Sequence, residues 1–370
     1  MVFSKIKLEG VKGVGTIELN LSPEKKVHTF IAENGLGKTK LLESLFQIFL
    51  GSHEAFREVI QNEYNSSLFV FNSANIDGVE YTPSNLDFLV RHVFKGVSSH
   101  SLPVVYMASQ NRGFIKHQQQ DVKPIGIFSE RKSNYIRSLF QGMENNFSNL
   151  NMENDIEQWF ISRAQSSNSY QKQEDNRVVE LKTVLMLLHE LDERIDTEFL
   201  EISGDNRVSI KINDEKRQLS QLSTGFASIL KIIQSIISGY GNFTNEQNLQ
   251  KVKGIVLIDE IESHLHLSWQ AKIIPLLKQL FPNTTFYITT HSSIVLTQLE
   301  EGEAYRLERG DNGIVSSKKI TAPNKIALID VLNDAFDVDL NKMKRESMSA
   351  EQQKNAKKKL LEFLKEERSQ

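Results

Sequence analysis

The sequence contains no cysteine among its 370 residues. This absence excludes disulfide bonds, thiolate zinc sites and cysteine nucleophiles, and it fits a reducing compartment. Long apolar runs are missing too, since none approaches the roughly 18 residues that a membrane-spanning helix requires. The amino terminus lacks the apolar core of a signal peptide. We therefore expect a soluble, cytoplasmic protein with no membrane partner.

The sequence also lacks a strong excess of one charge, internal repeats and a sustained heptad pattern. Lysine and arginine number 44 against 47 aspartates and glutamates, for a net charge of −3. This balance argues against a uniformly basic surface that binds nucleic acid, but it does not exclude a local basic patch. Without heptads, a long coiled-coil arm is excluded. The length and ordinary composition suit one large α/β domain with a lobe, or two domains.

The most informative segment is residues 32–39, Ala-Glu-Asn-Gly-Leu-Gly-Lys-Thr. It follows an apolar run, Val27–Ile31, that predicts a buried strand. It leads into residues 39–49, where leucine and phenylalanine recur at helical spacing. A strand, a glycine-bearing loop, Lys-Thr and a helix in this order form a phosphate-binding loop. Ala32 departs from the motif, which usually has a glycine at that position.

The chemistry of such a loop gives each polar group a role. Its main-chain N–H groups and the positive end of the helix bind phosphate oxygens. Lys38 reaches the terminal phosphates, and Thr39 supplies a hydroxyl ligand to Mg²⁺. The expected nucleotide-binding residues of the loop are Asn34, Gly35, Gly37, Lys38 and Thr39.

A second apolar run, Gly254–Ile258, predicts a doubly buried parallel strand and ends in two carboxylates. Asp259 can hold the Mg²⁺ shell, and Glu260 can polarise the attacking water as general base. The alternative is a solvated helix start, since acidic pairs after strands are common. The functional interpretation is favoured because the pair lies between the phosphate loop and a strand that ends in Thr-Thr-His.

Three further polar residues stand at the ends of predicted elements. Ser223 precedes a strongly apolar helix, so its hydroxyl and the free N–H groups there make a second anion site. Taken alone, Ser223 is an ordinary helix N-cap. Gln110 follows the apolar strand at 104–108, and His291 follows the strand at 286–290.

Together these motifs resemble those of ABC-type ATPases. Leu-Ser-Thr-Gly-Phe at 222–226 is similar to their signature Leu-Ser-Gly-Gly-Gln, with departures at Thr224 and Phe226 and with Gly225 retained. Gln110 and His291 stand where those enzymes have the Q-loop glutamine and the switch histidine.

The resemblance is specifically to the chromosome-maintenance-like members: RecF, the ATPase part of OLD nucleases, and stand-alone ATPases of bacterial anti-phage systems. Two segments carry it. In the turn at 10–14, Lys12 takes the place of an arginine, which implies that Lys12 helps to bind the nucleotide. Residues 259–267 match the pattern Asp-Glu-Pro-Glu-x-His-Leu-His-Pro without either proline.

The resemblance implies a fold and a mechanism. The fold is an α/β P-loop ABC-ATPase head with a mixed, partly parallel central sheet, an N-terminal antiparallel β subdomain and an α-helical lobe. Two ATP-bound heads would close as a homodimer, each nucleotide lying between Lys38 of one chain and Ser223 of the other. Glu260 would activate water, Gln110 would ligate and sense Mg²⁺, and His291 would contact the γ-phosphate.

The sequence pattern also predicts how the chain is divided. The expected parts are an ATPase core at 1–114 and 216–320, a helical lobe at 115–215, and a basic helical tail at 321–370. The tail either binds nucleic acid or an acidic partner, or docks as an amphipathic helix. Two local expectations are a strand at 67–72 and one continuous helix at 265–281.

The implied activity is Mg²⁺-dependent hydrolysis of ATP by the sensor or scaffold of an anti-phage system. OLD nucleases continue with a Toprim nuclease domain, and too few residues follow the closing hairpin here for such a domain. We therefore expect a separately encoded effector, such as a nuclease, with a dimer or higher oligomer as the assembly. The alternative is a RecF-like repair ATPase with ATP-gated DNA binding. A transporter subunit is disfavoured by the unusual signature, and a regulatory ATP-binder with slow turnover stays open.

Overall fold

The computed structural model describes residues 3–60, 68–82, 99–117, 122, 124–152, 156–167, 170–172, 174–325, 330 and 342. Most of the expected basic tail therefore lies outside the described residues. The strands are β1 (Lys5–Val11), β2 (Gly15–Asn20), β3 (Val27–Ile31), β4 (Ser73–Ile76), β5 (Val79–Tyr81), β6 (Val104–Met107), β7 (Ile195–Ile202), β8 (Val208–Ile212), β9 (Glu215–Gln218), β10 (Gly254–Ile258), β11 (Thr284–Thr289), β12 (Ala304–Arg309) and β13 (Val315–Lys319).

The helices lie between these strands. The α-helices are α1 (Lys38–Ser52), α2 (Glu54–Val59), α3 (Phe128–Asn145), α4 (Ile156–Gln165), α5 (Val178–Leu191), α6 (Thr224–Phe243), α7 (Leu267–Gln270), α8 (Ile273–Leu280) and α9 (Ser293–Leu296). Short 3₁₀ helices cover Phe147–Asn149, Leu219–Gln221 and Leu249–Lys251.

A ten-stranded mixed sheet organises the molecule, in the order β5-β4-β1-β2-β13-β12-β3-β11-β10-β6. From β12 to β6 the neighbouring strands run parallel, whereas β1, β2, β4 and β5 pair antiparallel. The hairpin of β12 and β13 joins the two parts, because β13 pairs with β2. This arrangement confirms the predicted α/β class with a mixed sheet and an antiparallel section near the amino terminus.

The central parallel strands are buried on both faces because helices cover them. Every residue of β3, β6 and β10 is buried. Helix α1 packs against β6, β10 and β11, and α6 packs against β6 and α5. Since parallel strands end at the same edge of a sheet, the segments that follow β3, β6, β10 and β11 are brought together there.

The lobe that precedes α6 combines helices with a small sheet. Strands β7, β8 and β9 form a three-stranded antiparallel sheet, and α5 leads into β7. Two arginines bind the fully buried carboxylate of Glu180: Arg163 Nε lies 2.8 Å and Arg177 Nε 2.7 Å from its oxygens. Such pairing is what allows a carboxylate to be buried between helices.

Two local predictions are wrong. The expected strand at 67–72 is irregular where it is described, and the strand β4 starts at Ser73. Its apolar residues are buried, but its backbone bonds to the side chain of Gln47, which donates to Leu68 O and accepts from Val70 N.

The expected helix at 265–281 is broken into α7 and α8. Gln298 accepts a hydrogen bond from Ile274 N at 3.3 Å and donates to Gln270 O. One side chain from a distant segment thus takes up backbone groups on both sides of the break. Pro275, the third residue of α8, has no N–H to donate to Ala271 O as a continuous helix requires, so the sequence did contain a local signal for the break.

Candidate functional site

The loop between β3 and α1 has the conformation that a phosphate-binding loop needs. Gly35 and Gly37 have φ angles of 84° and 90°, a region that favours glycine. A Cβ at Gly37 would lie 2.4 Å from Val14 Cγ2, so a side chain there is excluded by contact as well. Because Val14 belongs to the turn between β1 and β2, this contact places that turn beside the loop. Ala32 is not among the residues with positive φ, so the missing glycine causes no strain.

Lys38 points back into the loop. Its ammonium donates to Ala32 O at 2.8 Å and to Glu33 O at 3.2 Å, and 7% of the residue is exposed. Burial lowers the pKa of Lys38, while the nearby carboxylate of Asp259 acts in the opposite direction. A lysine held this way can exchange carbonyl partners for phosphate oxygens without leaving the loop.

Thr39, in the first turn of α1, contacts Asp259, which follows β10. The Thr39 hydroxyl lies 3.2 and 3.1 Å from the two carboxylate oxygens of Asp259. Thr289, the last residue of β11, donates to Asp259 Oδ1 at 2.6 Å. Asp259 is 3% exposed, and burial raises its pKa despite these two hydroxyl donors. A hydroxyl and a carboxylate in contact form the hard oxygen donor set that Mg²⁺ prefers, so these residues fit that ion.

Hydrogen bonds fix the backbone of Glu260, and one further hydrogen bond reaches its carboxylate. Its φ angle is 45°, its N–H donates to Thr289 Oγ1 at 2.8 Å, and its carbonyl accepts from Ser263 N at 2.9 Å. The Ser263 hydroxyl donates to Glu260 Oε2 at 3.0 Å. The side chain is partly exposed, at the edge where the loop, Thr39 and Asp259 come together.

His291 lies at the same edge, and Glu262 fixes its backbone. Glu262 accepts from His291 N and from the Thr290 hydroxyl, both at 2.6 Å. The imidazole of His291 belongs to an exposed residue and is available to a ligand. Glu262 is not among the predicted site residues, although its place in the acidic segment after β10 was a signal for a role.

Residues 222–226, which resemble the ABC-type signature, pack against the loop that follows β10. Ser223 is the N-cap of α6, is exposed, and its hydroxyl accepts from Phe226 N at 3.4 Å. A Cβ at Gly225 would lie 3.5 Å from His264 O, and Ser228 donates to Ser263 O at 3.3 Å. The expected N-cap is therefore present, and the N-terminal end of α6 is exposed.

Gln110 and Lys12 lie at the periphery of this edge. Gln110 is exposed in the turn after β6, the strand that pairs with β10. Lys12 is exposed in the turn between β1 and β2, and its N–H donates to Val70 O at 2.8 Å. Burial raises the pKa of Glu43 on α1, and the charges of Lys40 and Lys12 act against this increase. Both residues are thus near the site, and their predicted contacts to metal and nucleotide stay predictions.

Arg112, two residues after Gln110, is a further residue of the site that the sequence motifs do not indicate. Its guanidinium is fully buried and donates to the carbonyl oxygens of Asp259 and Glu260 at 2.6 and 2.9 Å. Burial lowers the pKa of Arg112 to about 10, so the group stays charged at neutral pH. The polar cluster 109–112 at a strand end was the signal in the sequence, but it does not distinguish Arg112 from its exposed neighbours.

A polar cavity adjoins the phosphate loop on the side away from Asp259. Its volume is about 480 Å³, within the range of small-molecule sites. Two loop residues and the end of β12 form its wall: Glu33, Leu36, Arg306, Leu307, Glu308 and Arg309. The phosphate loop therefore borders an open cavity at the end of β12.

Comparison with known proteins agrees with this geometry. A family model described as "AAA domain, putative AbiEii toxin, Type IV TA system" matches residues 33–297. The chain belongs to this family. The matched range includes Lys38, Asp259, Glu260 and His291, so the family assignment covers the candidate site.

Curated relatives include two kinds of protein. The chain is 25% identical over 303 residues to the Septu protein PtuA of Bacillus thuringiensis, which covers 79% of this chain and 72% of that protein. It is 38% identical over 114 residues to the retron Ec83 probable ATPase of Escherichia coli, which covers 28% of this chain and 21% of that protein. The chain is thus related in sequence to PtuA and, over 114 residues, to a retron protein described as a probable ATPase.

Among solved structures, an Smc head bound to the C-winged helix domain of ScpA matches with a TM-score of 0.48. That match has 12% identity and covers 88% of this chain and all of the other. Within the described residues, no helix is long and apolar enough to cross a membrane.

Proposed function

We propose that this protein is an Mg²⁺-dependent ATP hydrolase that acts as a homodimer, with each nucleotide between Lys38 of one copy and Ser223 of the other. The meeting of Lys38, Thr39 and Asp259 at one sheet edge carries the first half of this proposal. A buried cation, a hydroxyl and a buried carboxylate at a glycine-bearing loop suit a nucleoside triphosphate with its metal ion.

The residues divide the chemistry among them. Lys38 releases its two carbonyl partners and neutralises the terminal phosphates. Thr39 and Asp259 would hold Mg²⁺, which supplies positive charge to the phosphoryl oxygens when bound. Glu260 orients water and accepts its proton, while His291 contacts the γ-phosphate from the neighbouring strand end. Gln110 would ligate Mg²⁺ and sense its presence.

The exposed end of α6 supports the second half. The α6 N-terminus and Ser223 make an anion site, and the same turn packs against residues 263–266 of its own chain. Because Ser223 faces solvent, a second copy can bring it to the phosphates that Lys38 binds. A closed two-fold dimer satisfies both copies at once.

Mixing two inactive variants tests the shared site. Lys38→Ala removes the phosphate cation, and Ser223→Arg fills the anion site of α6 with a bulky cation. Each variant alone should be inactive, whereas a mixture forms heterodimers in which one site has both native residues. Recovery of hydrolysis that peaks near an equimolar mixture supports the shared site. Two inactive variants that stay inactive when mixed, and that form no ATP-dependent heterodimer, contradict it.

We further propose that the protein is the ATPase sensor or scaffold of an anti-phage system in the cytoplasm, with a separately encoded effector such as a nuclease. The support is the relationship to a Septu protein and to a retron ATPase. The chain spans 21% of the retron relative and 44% of a second PtuA, from Bacillus mycoides. The trigger, a nucleic-acid ligand and any assembly beyond the dimer therefore stay proposals.

Co-expression with the adjacent reading frames tests the effector. Stable co-purification with one of their products, together with weak DNA binding by the protein alone, supports this assignment. Salt-sensitive, ATP-dependent binding of duplex DNA by the isolated protein would instead support the RecF-like alternative.

A further inference from the structure

Arg112 is a buried cation that hydrogen-bonds to main-chain carbonyls. Its Nη2 donates to Asp259 O at 2.6 Å and to Ala108 O at 2.7 Å, and its Nη1 donates to Glu260 O at 2.9 Å. A buried guanidinium usually pairs with a carboxylate, as Arg163 and Arg177 do with Glu180. The hydrogen bonds of Arg112 go to the backbone at the ends of β6 and β10.

These bonds act where the backbone is strained. Glu260 has a φ angle of 45°, which is unfavourable for a residue with a side chain. Its N–H donates to Thr289 Oγ1 at 2.8 Å, and its carbonyl accepts from Arg112 Nη1 and from Ser263 N, both at 2.9 Å. These three partners fix the peptide groups on both sides of the Glu260 side chain, and Arg112 is the one that comes from the turn after β6.

The same residue connects two parts of the site. Arg112 belongs to the turn that follows β6, two positions after Gln110. On its other side this turn is anchored by Lys231 of α6, whose ammonium donates to Asn111 O at 2.8 Å. A displacement of the Gln110 turn would therefore be transmitted through Arg112 to the carbonyls of Asp259 and Glu260.

We propose that Arg112 is a positioning residue for hydrolysis. It holds the backbone of Glu260 in the conformation that presents its carboxylate to water, and it joins the Gln110 turn to the end of β10. This proposal rests on the proposed ATPase function. It predicts a larger loss in the chemical step than in nucleotide binding, since Arg112 donates to main-chain carbonyls, among them those of Asp259 and Glu260, and makes no described hydrogen bond to the phosphate loop or to Lys38.

The test measures kcat and nucleotide affinity separately in the full chain. Arg112→Met removes the donors but keeps the length and apolar part of the side chain. We expect kcat to fall by at least about tenfold, while KM for ATP and the Kd for MgADP change by less than about threefold. Arg112→Lys restores a charge and part of the hydrogen bonding, so it should recover part of kcat.

Arg163→Met serves as the matched control. Arg163 is another buried arginine, but it pairs with Glu180 in the lobe, away from the sheet edge. This variant should lose stability and keep kcat within about twofold of the wild-type value. If Arg112→Met fails to fold, Arg112→Lys carries the test alone, through a lowered kcat at unchanged nucleotide affinity.

The outcomes separate this proposal from the one on which it rests. A wild-type protein that hydrolyses ATP, with folded Arg112 variants of unchanged kcat, overturns the positioning role alone. An equal loss of kcat in Arg163→Met also overturns it, because the effect would then follow from stability. A wild-type protein that binds MgADP but hydrolyses no ATP overturns the proposed ATPase function and this proposal together.

Discussion

Glu260 shows how much of the site is decided at the scale of single residues. The sequence predicts a carboxylate at the end of β10, and the structure adds its positive φ and its bond from Ser263. If this carboxylate is the general base, Glu260→Gln should lower hydrolysis by at least about a hundredfold and keep ATP binding. Turnover and ATP affinity, measured side by side with exposed Glu301→Gln as the control, check this. Normal turnover in Glu260→Gln would remove Glu260 from the base role.

Lys38 and Lys40 form a matched pair for the phosphate contact. Lys38 lies within the loop, whereas Lys40 points to Glu43, with the two charges 2.6 Å apart. Lys38→Ala should therefore abolish measurable MgATP binding, and Lys40→Ala should change the Kd by less than about threefold. Titration calorimetry measures both. Equal affinities for the two variants would mean that Lys38 does not bind phosphate.

At the scale of elements, the loop and the turn between β1 and β2 depend on each other through Gly37. Gly37→Ala combines a positive φ with the Val14 contact, whereas Gly13 has a φ of 75° and open space around it. We expect Gly13→Ala to lower the free energy of unfolding by about 1 kcal/mol and Gly37→Ala by roughly 2–3 kcal/mol. Urea unfolding compares them. A loss of unfolding free energy for Gly37→Ala no larger than that for Gly13→Ala would show that Val14 moves away without cost.

A buried histidine on β3 should make the stability of the protein depend on pH. His28 on β3 is fully buried and stacks on Tyr287 at 5.0 Å, and burial lowers its pKa to about 4. Because the unfolded chain binds a proton near pH 6.5 and the folded one does so only near 4, stability is complete above 6.5 and falls as the pH drops. The difference corresponds to roughly 3 kcal/mol.

His28→Phe keeps an aromatic ring that cannot be protonated. Its free energy of unfolding should therefore decline less than that of the wild-type protein between pH 6.5 and 4. Unfolding in urea at several pH values gives the two slopes. Identical slopes would mean that His28 does not titrate as its burial implies.

What the sequence predicts at this scale depends on whether the cause is local. β3, β10 and β11 are recognisable because strands buried on both faces are continuous apolar runs. Their order along the chain also indicates that Lys38, Thr39 and Asp259 meet. The break before Ile273 had a local signal in Pro275, which the helical spacing of the apolar residues outweighed. The error at 67–72 arises from Gln47, whose contacts are distant in sequence. Arg112 was missed for the same reason, since its partners follow another strand.

At the scale of the whole molecule, the proposed hydrolysis requires two copies of the chain that close over ATP. Each chain carries both halves of the proposed site, with Lys38 in one loop and an exposed Ser223 at the start of α6. The family assignment and the single-chain geometry support the nucleotide site, whereas the second copy is inferred from that exposure.

The most direct measurement is the mass in solution of Glu260→Gln, a variant that should bind ATP without hydrolysing it. Light scattering during gel filtration should give twice the monomer mass with MgATP and the monomer mass without nucleotide. The double variant that adds Ser223→Arg should stay monomeric with MgATP bound. A Glu260→Gln protein that binds MgATP and stays a monomer at every concentration would contradict the shared nucleotide site.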